Sequence, residues 1–145
     1  MFQLVEKATQ HLVNHGIRPS VQRVAIMEYL MKHHTHPTVD TIYHDLLPAM
    51  PTLSRTTVYN TLELLQSHNA VQALTIDSRN VHYDGMLNPH AHFMCRCCGR
   101  IIDLPMHSDL PTNPLPEQVS KVEQIQLNYS GVCDACSLQH RQENN

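Results

Sequence analysis

The sequence predicts an α+β protein with an N-terminal winged helix-turn-helix domain and a small C-terminal α/β domain. Three observations support this fold class: four successive segments have a helical spacing of apolar residues, two short strand-like segments follow, and a cysteine-rich region of different character begins after residue 89. A chain of 145 residues suits one ordinary domain or two small ones. The change of character favours two.

Each of the four predicted helices has a recognisable boundary in the sequence, at its start or at its end. The first stops before Gly16, and Ser20, Thr38 and Ser54 are placed as N-caps of the other three. The fourth helix has an apolar stripe at i, i+4 and i+7, which leaves its opposite face polar. That polar face carries Arg55, Thr56, Tyr59, Asn60 and Glu63.

Two strand-like segments, residues 71–76 and 80–83, follow the fourth helix and are joined by a short polar turn. Helices followed by a two-stranded wing are typical of a winged helix-turn-helix, whose last helix enters the major groove of DNA. We assign Tyr59 to thymine methyl groups, and Arg55 and Asn60 to base edges or nearby phosphates. The alternative is an ordinary solvated helix face. The predicted DNA-binding residues are Arg18, Arg23, Ser54, Arg55, Thr56, Tyr59 and Asn60.

Glycine and proline bracket a short connection at residues 85–89, which we interpret as a hinge. The predicted domains are thus residues 1–84 and 90–145. The second domain is expected to contain strands at residues 91–94, 100–104 and 122–130, a proline-rich irregular loop at 104–116 with at most a short helix at 116–122, and a tail helix at 135–142.

Two C-x-x-C motifs predict a structural zinc site, because four thiolates can hold one ion in a closed tetrahedral site. Gly99 follows the first motif and can adopt the positive φ that such a turn favours. Cys97 is left over and is not expected to be a ligand. Disulfide-bonded or unligated cysteines are the alternative, although a reducing cytoplasm favours metal. The four predicted ligands are Cys95, Cys98, Cys133 and Cys136.

A second group of metal donors surrounds the first motif. In a strand, the H-A-H spacing directs the imidazoles of His90 and His92 to one face. Asp84 and Asp103 add carboxylate oxygens. A donor set of imidazole and carboxylate without thiolate suits Mn²⁺ or Fe²⁺. Solvent-exposed strand histidines are the alternative interpretation.

Charge and hydropathy restrict the remaining possibilities. The net charge is −3, and residues 1–85 hold 6 basic and 7 acidic side chains, so DNA affinity would need a dimer, a metal, or both. No apolar run approaches the roughly 20 residues of a membrane span. The N-terminus lacks the order of a signal peptide. We therefore expect a soluble, cytoplasmic protein.

Taken together, the motifs resemble the Fur family of bacterial metal-dependent repressors over nearly the whole chain. The resemblance rests on the segments GIRPSVQR, HPT, LSRTTVYNTL, HAHFMCRCCGRIIDL and GVCDAC, in that order. It implies that the C-terminal domain is a dimerisation and metal-binding domain. It also implies a homodimer that binds palindromic operator DNA, with no catalytic residues.

Within the family the chain is most similar to the peroxide-sensing branch. Iron-sensing members tend to carry glutamate where Asp84 and Asp103 stand, and arginine where Asn60 stands. The resemblance implies that Fe²⁺ or Mn²⁺ fastens the two domains together. With Fe²⁺, it implies that peroxide oxidises His36 or His90 and releases DNA. The regulatory ligands implied are His36, Asp84, His90, His92 and Asp103.

An additional metal site of some family members uses an acidic residue between the two strand histidines, where this chain has Ala91. We therefore expect two metals per chain, one structural Zn²⁺ and one regulatory Fe²⁺ or Mn²⁺.

Three other functions remain open. The first is an iron- or zinc-uptake regulator without peroxide sensing. The second is a metalloenzyme, which is disfavoured because catalytic metals usually have about three protein ligands and an open position. The third is a zinc-ribbon module whose helices bind protein rather than DNA.

Overall fold

The computed structural model describes residues 2–85, 88, 90–106 and 114–143, the last four of these by their backbone alone. The chain divides into two compact units, Met1–Leu87 and Asn88–Asn145. Within the predicted hinge, residues 86, 87 and 89 lie outside the described residues, as do residues 107–113 of the predicted proline-rich loop. No helix in the described parts of the chain has the length and apolar character needed to cross a membrane.

Four helices form most of the first unit: α1 (Phe2–Asn14), α2 (Val21–Lys32), α3 (Val39–Leu46) and α4 (Arg55–Ser67). The predicted N-caps are confirmed. The side chains of Ser20, Thr38 and Ser54 accept hydrogen bonds from the backbone N–H three residues further on, at 3.2, 3.3 and 3.1 Å. Each cap satisfies an N–H that the helix cannot, which stabilises its helix by about 1 kcal/mol.

The core of the first unit lies where the four helices meet. The predicted stripe of α4 is confirmed, because Val58, Leu62 and Leu65 are all fully buried. Burying such side chains contributes roughly 1.5–3 kcal/mol each. The polar face of α4 is thereby left toward solvent. Other large side chains of this core are Leu12, Ile26, Met27, Leu30 and Ile42.

The wing consists of β1 (Gln72–Leu74) and β2 (His82–Asp84), paired antiparallel with Ala73 opposite Tyr83. The first strand is shorter than the predicted 71–76, and the second, predicted at 80–83, begins two residues later and ends one residue later. The predicted turn is present, since the side chain of Asp77 accepts a hydrogen bond from the backbone N–H of Arg79 at 3.0 Å. Pairing stops some residues before the turn on each side, at Leu74 and His82.

The second unit contains β3 (His90–Cys95), β4 (Ile101–Pro105), β5 (Asn128–Gly131) and α5 (Asp134–Glu143). Strand β3 lies at the centre of the sheet, antiparallel to β4 and parallel to β5. With the winged helical unit before it, this arrangement confirms the predicted α+β fold class.

Two predicted elements of the second unit differ from the structure. The short helix allowed at residues 116–122, all of which are described, is replaced by a turn in which Val119 N donates to Pro116 O at 3.0 Å. Residues 114–125 are exposed, so no packing stabilises a helical nucleus there. The strand predicted at 122–130 is confined to β5, although Leu127 O still accepts a hydrogen bond from His92 N at 3.1 Å.

Candidate metal centres

The first candidate metal centre is the four-cysteine cluster of the second unit. Cys95 ends β3, and Gly99 closes the following turn with φ +75°, donating its N–H to the carbonyl of Cys95 at 2.9 Å. The second pair lies at the start of α5, where Cys133 precedes the helix and Cys136 lies in its first turn. A strand end and a helix start therefore present two thiols each.

The geometry of the four sulfurs suits one tetrahedral ion. All four Sγ atoms lie within 4.8 Å of one another, and those of Cys98 and Cys133 are 3.9 Å apart. Four sulfurs bound to zinc at about 2.3 Å lie roughly 3.8 Å apart. Cys95, Cys133 and Cys136 are buried, while Cys98 is exposed. The adjacent Cys97 is exposed and stands outside this cluster.

The protonation of the cluster also favours a cation. The N–H of Cys133 donates to the Cys95 sulfur at 3.4 Å, and this bond, with one from the backbone of Cys98, lowers the pKa of the Cys95 thiol to about 5. The neighbouring Cys133 side chain and burial raise the pKa of the Cys136 thiol. The cluster therefore loses a proton readily at Cys95, whereas deprotonation of Cys136 is disfavoured. A divalent cation offsets the repulsion between thiolates and takes the place of the protons.

In the first unit, His36 and Asp84 form a pair of donors, the N-terminal donor pair. The Nε2 atom of His36 lies 3.6 Å from Oδ2 of Asp84, and both side chains are buried. His36 has φ +56°, a left-handed conformation that costs a non-glycine residue on the order of 1 kcal/mol. The next residue is tied to the wing, since Tyr83 N donates to Pro37 O at 2.9 Å.

In the second unit, His90, His92 and Asp103 form the C-terminal donor trio. His92 lies opposite Asp103 in the β3–β4 register, and the Nε2 atoms of His90 and His92 are 3.4 and 3.3 Å from the same oxygen of Asp103. Both imidazoles therefore lie on one face of β3, as alternate strand positions predict. The Nδ1 of His90 is 2.6 Å from Asn88 O and must donate, because a carbonyl only accepts. Nε2 is thus the ring nitrogen that faces Asp103 and is left to bind a metal.

Within each unit these separations fit ligands of a common ion. Nitrogen and oxygen ligands about 2.1 Å from one ion, at angles of 90–120°, lie roughly 3.0–3.6 Å apart. Metal-binding histidines usually bind the ion through one ring nitrogen and donate a hydrogen bond from the other, as Nδ1 of His90 does here. Both groups lack thiolate, so they suit harder ions than the cysteine cluster does.

The polar face of α4 is exposed, but its largest side chains make contacts within the first unit. The Arg55 guanidinium contacts Asp40 at 2.9 Å and His44 at 3.2 Å, and lies 4.8 Å from the centre of the Tyr43 ring. Tyr59 is 48% exposed and donates to Glu63 at 2.9 Å. That hydrogen bond raises the pKa of Tyr59. The contacts of Arg55 with α3 have no signal in the sequence, because they join two separate helices.

The remaining predicted DNA-binding residues lie near the starts of α2 and α4 and on α4. Arg23 donates to Arg18 O at 2.8 Å, and both residues line a groove of about 550 Å³ together with Asn60. Thr56 is exposed, and Ser54 caps α4. Of the polar face of α4, Asn60 therefore lines the same groove as the start of α2.

A winged-helix unit followed by a unit with a four-thiolate cluster, with imidazole and carboxylate donors in both, defines a metal-binding regulator of the winged-helix class. The chain belongs to the ferric uptake regulator family, whose family model matches residues 14–129. It is a metalloregulator and not an enzyme. The four cysteines suit structural zinc, and the histidine and aspartate donors suit a regulatory metal.

Relatives narrow the resemblance. The peroxide-responsive repressor PerR of Staphylococcus epidermidis is 33% identical over 134 residues, covering 91% of this chain and 89% of the relative. The peroxide operon regulator of Bacillus subtilis is 34% identical over 135 residues, covering 92% and 93%. The predicted similarity to the peroxide-responsive branch of the family is therefore confirmed.

Solved structures agree with the fold. The ferric uptake regulator Fur of Helicobacter pylori aligns with a TM-score of 0.69 at 21% identity, covering 93% of this chain and 92% of that one. PerR from Streptococcus pyogenes, described as a peroxide-sensing gene regulator, aligns with a TM-score of 0.51 at 31% identity, covering 91% and 92%.

Proposed function

We propose that this protein is a metal-dependent, peroxide-responsive transcriptional repressor that binds palindromic operator DNA as a homodimer in the cytoplasm. The observation that carries the proposal is the division of the donors: His36 and Asp84 belong to the winged-helix unit, and the C-terminal donor trio belongs to the second unit. Similarity to repressors named for their response to peroxide supports it.

In this proposal the N-terminal donor pair and the C-terminal donor trio bind the same Fe²⁺ or Mn²⁺ ion. Metal bound at this site then restricts the orientation of the DNA-reading unit, so metal binding controls the conformation of the protein. If the DNA-competent form is about 1% of the metal-free ensemble, making it dominant requires ~5 kcal/mol of differential metal affinity. Ligands that engage only in that form can supply this difference.

Peroxide sensing depends on the residues nearest the ion. Bound Fe²⁺ would supply the electrons that cleave the peroxide O–O bond. We expect His36 and His90 to be the groups oxidised: overall, one oxygen is inserted into a ring C–H bond and one molecule of water is released per peroxide. An oxidised imidazole is a poorer ligand, so the two units are released from each other and DNA dissociates. Mn²⁺ should support repression but respond poorly to peroxide.

DNA contact is assigned to the polar face of α4 and to the start of α2. Tyr59 is exposed there, and Arg18, Arg23 and Asn60 line the groove between these helices. Because the first unit has no excess of positive charge, phosphate contacts from one copy are few. Two copies on a palindrome double them.

The test is selection of bound sequences from a random DNA library by the Mn²⁺-loaded protein. The selected sequences are expected to share a palindromic consensus, and chelation of Mn²⁺ should release the bound DNA. Mild peroxide should release the Fe²⁺ form and add one oxygen to the peptide carrying His36 or His90. Binding to random DNA without preference contradicts the repressor function. Metal-dependent binding to the palindrome with no oxygen added to either peptide favours the alternative, an iron- or zinc-uptake regulator without peroxide sensing.

A further inference from the structure

His82 in β2 connects the turn of the wing to the backbone of His36. Its Nδ1 atom lies 2.6 Å from the carbonyl oxygen of His36, and its Nε2 atom lies 3.0 Å from Oδ2 of Asp77. Because a carbonyl oxygen only accepts, Nδ1 carries the hydrogen and donates it. All three residues belong to the first unit, and the ring of His82 is largely buried.

The conformation of His36 requires such support. Among the described non-glycine residues, only His36 and Asn69 have positive φ. A strained conformation persists where surrounding contacts determine it. Here three consecutive residues of β2 contact the segment 36–37: the ring of His82 at His36 O, the N–H of Tyr83 at Pro37 O, and the carboxylate of Asp84 facing the imidazole.

Asp77 fixes the other side of the His82 ring. Its Oδ1 atom accepts the N–H of Arg79, and its Oδ2 atom lies 3.0 Å from Nε2 of His82, so one carboxylate contacts both the turn and the ring. The His82 contact is the main cause of a lowered pKa at Asp77. Rotation of the ring would therefore break a close contact at each nitrogen.

We propose that His82 is a positioning residue for the regulatory metal, holding His36 in its ligand orientation through the Nδ1 hydrogen bond while Asp77 holds His82. The inference rests on the proposed role of His36 as a ligand. Residues that orient metal ligands without touching the ion typically change metal affinity by about 10–100-fold when removed. His82 lies in β2, so this chain of contacts joins the wing to the proposed ligand His36.

The experiment measures Mn²⁺ affinity of the zinc-loaded, full-length protein from the electron paramagnetic resonance signal of free Mn²⁺. His82→Leu removes the donor, and we expect affinity to fall by about 10–100-fold. His82→Asn places an amide N–H near the position of Nδ1, and should recover most of that loss. Asp77→Ala should give an intermediate loss. The matched control is His34→Leu. His34 is exposed and lies, like His36, in the connection between α2 and α3, and this change should leave Mn²⁺ affinity unchanged.

A merely structural role predicts a different pattern, so thermal melting of the metal-free variants is measured alongside. Affinity that follows the melting temperature, or a His82→Asn variant as weak as His82→Leu, overturns the proposal. If His82→Leu does not fold, His82→Gln replaces it, because its amide reaches Asp77 rather than the backbone. The variant His36→Ala tests the proposed ligand directly, apart from the role of His82. Unchanged Mn²⁺ affinity in His36→Ala refutes the proposed regulatory site itself.

Discussion

Replacing Cys95 by serine should unfold the second unit and leave the first one folded. The cysteine ends the central strand β3, is fully buried, and its sulfur accepts the N–H of Cys133 from the start of α5. Serine is nearly the same size, so the change removes a zinc ligand with little loss of packing volume. Among the described residues, the hydrophobic cluster around it contains, besides Cys133 and Cys136, two partly buried side chains, Phe93 and Val132.

The magnitude follows from the size of the unit. Residues 88–145 form a unit of 58 residues, for which a stability of roughly 3–9 kcal/mol is ordinary. Binding of structural zinc by four ligands contributes about 10–16 kcal/mol of apparent free energy to such small units. Loss of the ion therefore exceeds the stability that the unit would otherwise have. The first unit has its own core and should keep its melting transition.

The assay combines zinc content, far-ultraviolet circular dichroism and limited proteolysis, since the chain has no tryptophan for fluorescence. Cys95→Ser should lose close to one zinc per chain and be cleaved rapidly after residue 88, with a protected fragment covering the first unit. The matched control is Cys97→Ser, an exposed neighbour outside the cluster, which should keep its zinc. A Cys95→Ser protein that retains full zinc and resists protease in the second unit would refute the reasoning.

Three further predictions concern the first unit. Tyr29→Phe removes a 2.5 Å hydrogen bond to Asp45 and should destabilise the protein by about 1.5–3 kcal/mol in chemical denaturation. Burial and that bond raise the pKa of Tyr29, so its contribution is present below pH 10 and lost as pH rises from there, and wild type and variant should converge in alkali. Ser54→Ala should cost about 1 kcal/mol, with Ser67→Ala near the other end of α4 as the control, and an equal loss in both would argue against capping. Arg55→Ala breaks an exposed pair with Asp40 and should change stability by less than about 1 kcal/mol, yet reduce the salt dependence of DNA binding by about one phosphate contact. An unchanged salt slope would exclude Arg55 from the phosphate contacts.

Features set by neighbouring residues were predictable from the sequence. The three serine and threonine caps and the glycine after the first cysteine pair depend on local backbone geometry, which the residue types specify directly. The cysteine cluster was predictable because C-x-x-C spacing constrains both pairs, leaving only their pairing with each other to the fold. Alternation likewise placed both imidazoles of the H-A-H segment on one face of β3.

Features set by distant partners were not predictable. The predicted strand begins at residue 122, yet the residues paired with β3 begin at Asn128, next to the hydrogen bond that Leu127 O accepts, and the alternation does not show which residues find a partner. Neither does spacing reveal that Arg55 contacts Asp40 across two helices, or that His36 has a positive φ. Each of these depends on contacts between segments far apart in sequence.

The sulfur-centred interior of the second unit implies an uneven tolerance of sequence change. Its buried cluster consists of Cys95, Cys133 and Cys136, bordered by the partly buried Phe93 and Val132. Aliphatic positions elsewhere in the described part of this unit are mostly accessible, so variation there should be permissive. At the three sulfurs no other side chain supplies both volume and a thiolate. Among the described residues of the second unit, substitution is thus better tolerated at its periphery, whereas the interior of the first unit is mainly aliphatic and tolerates exchanges that conserve volume.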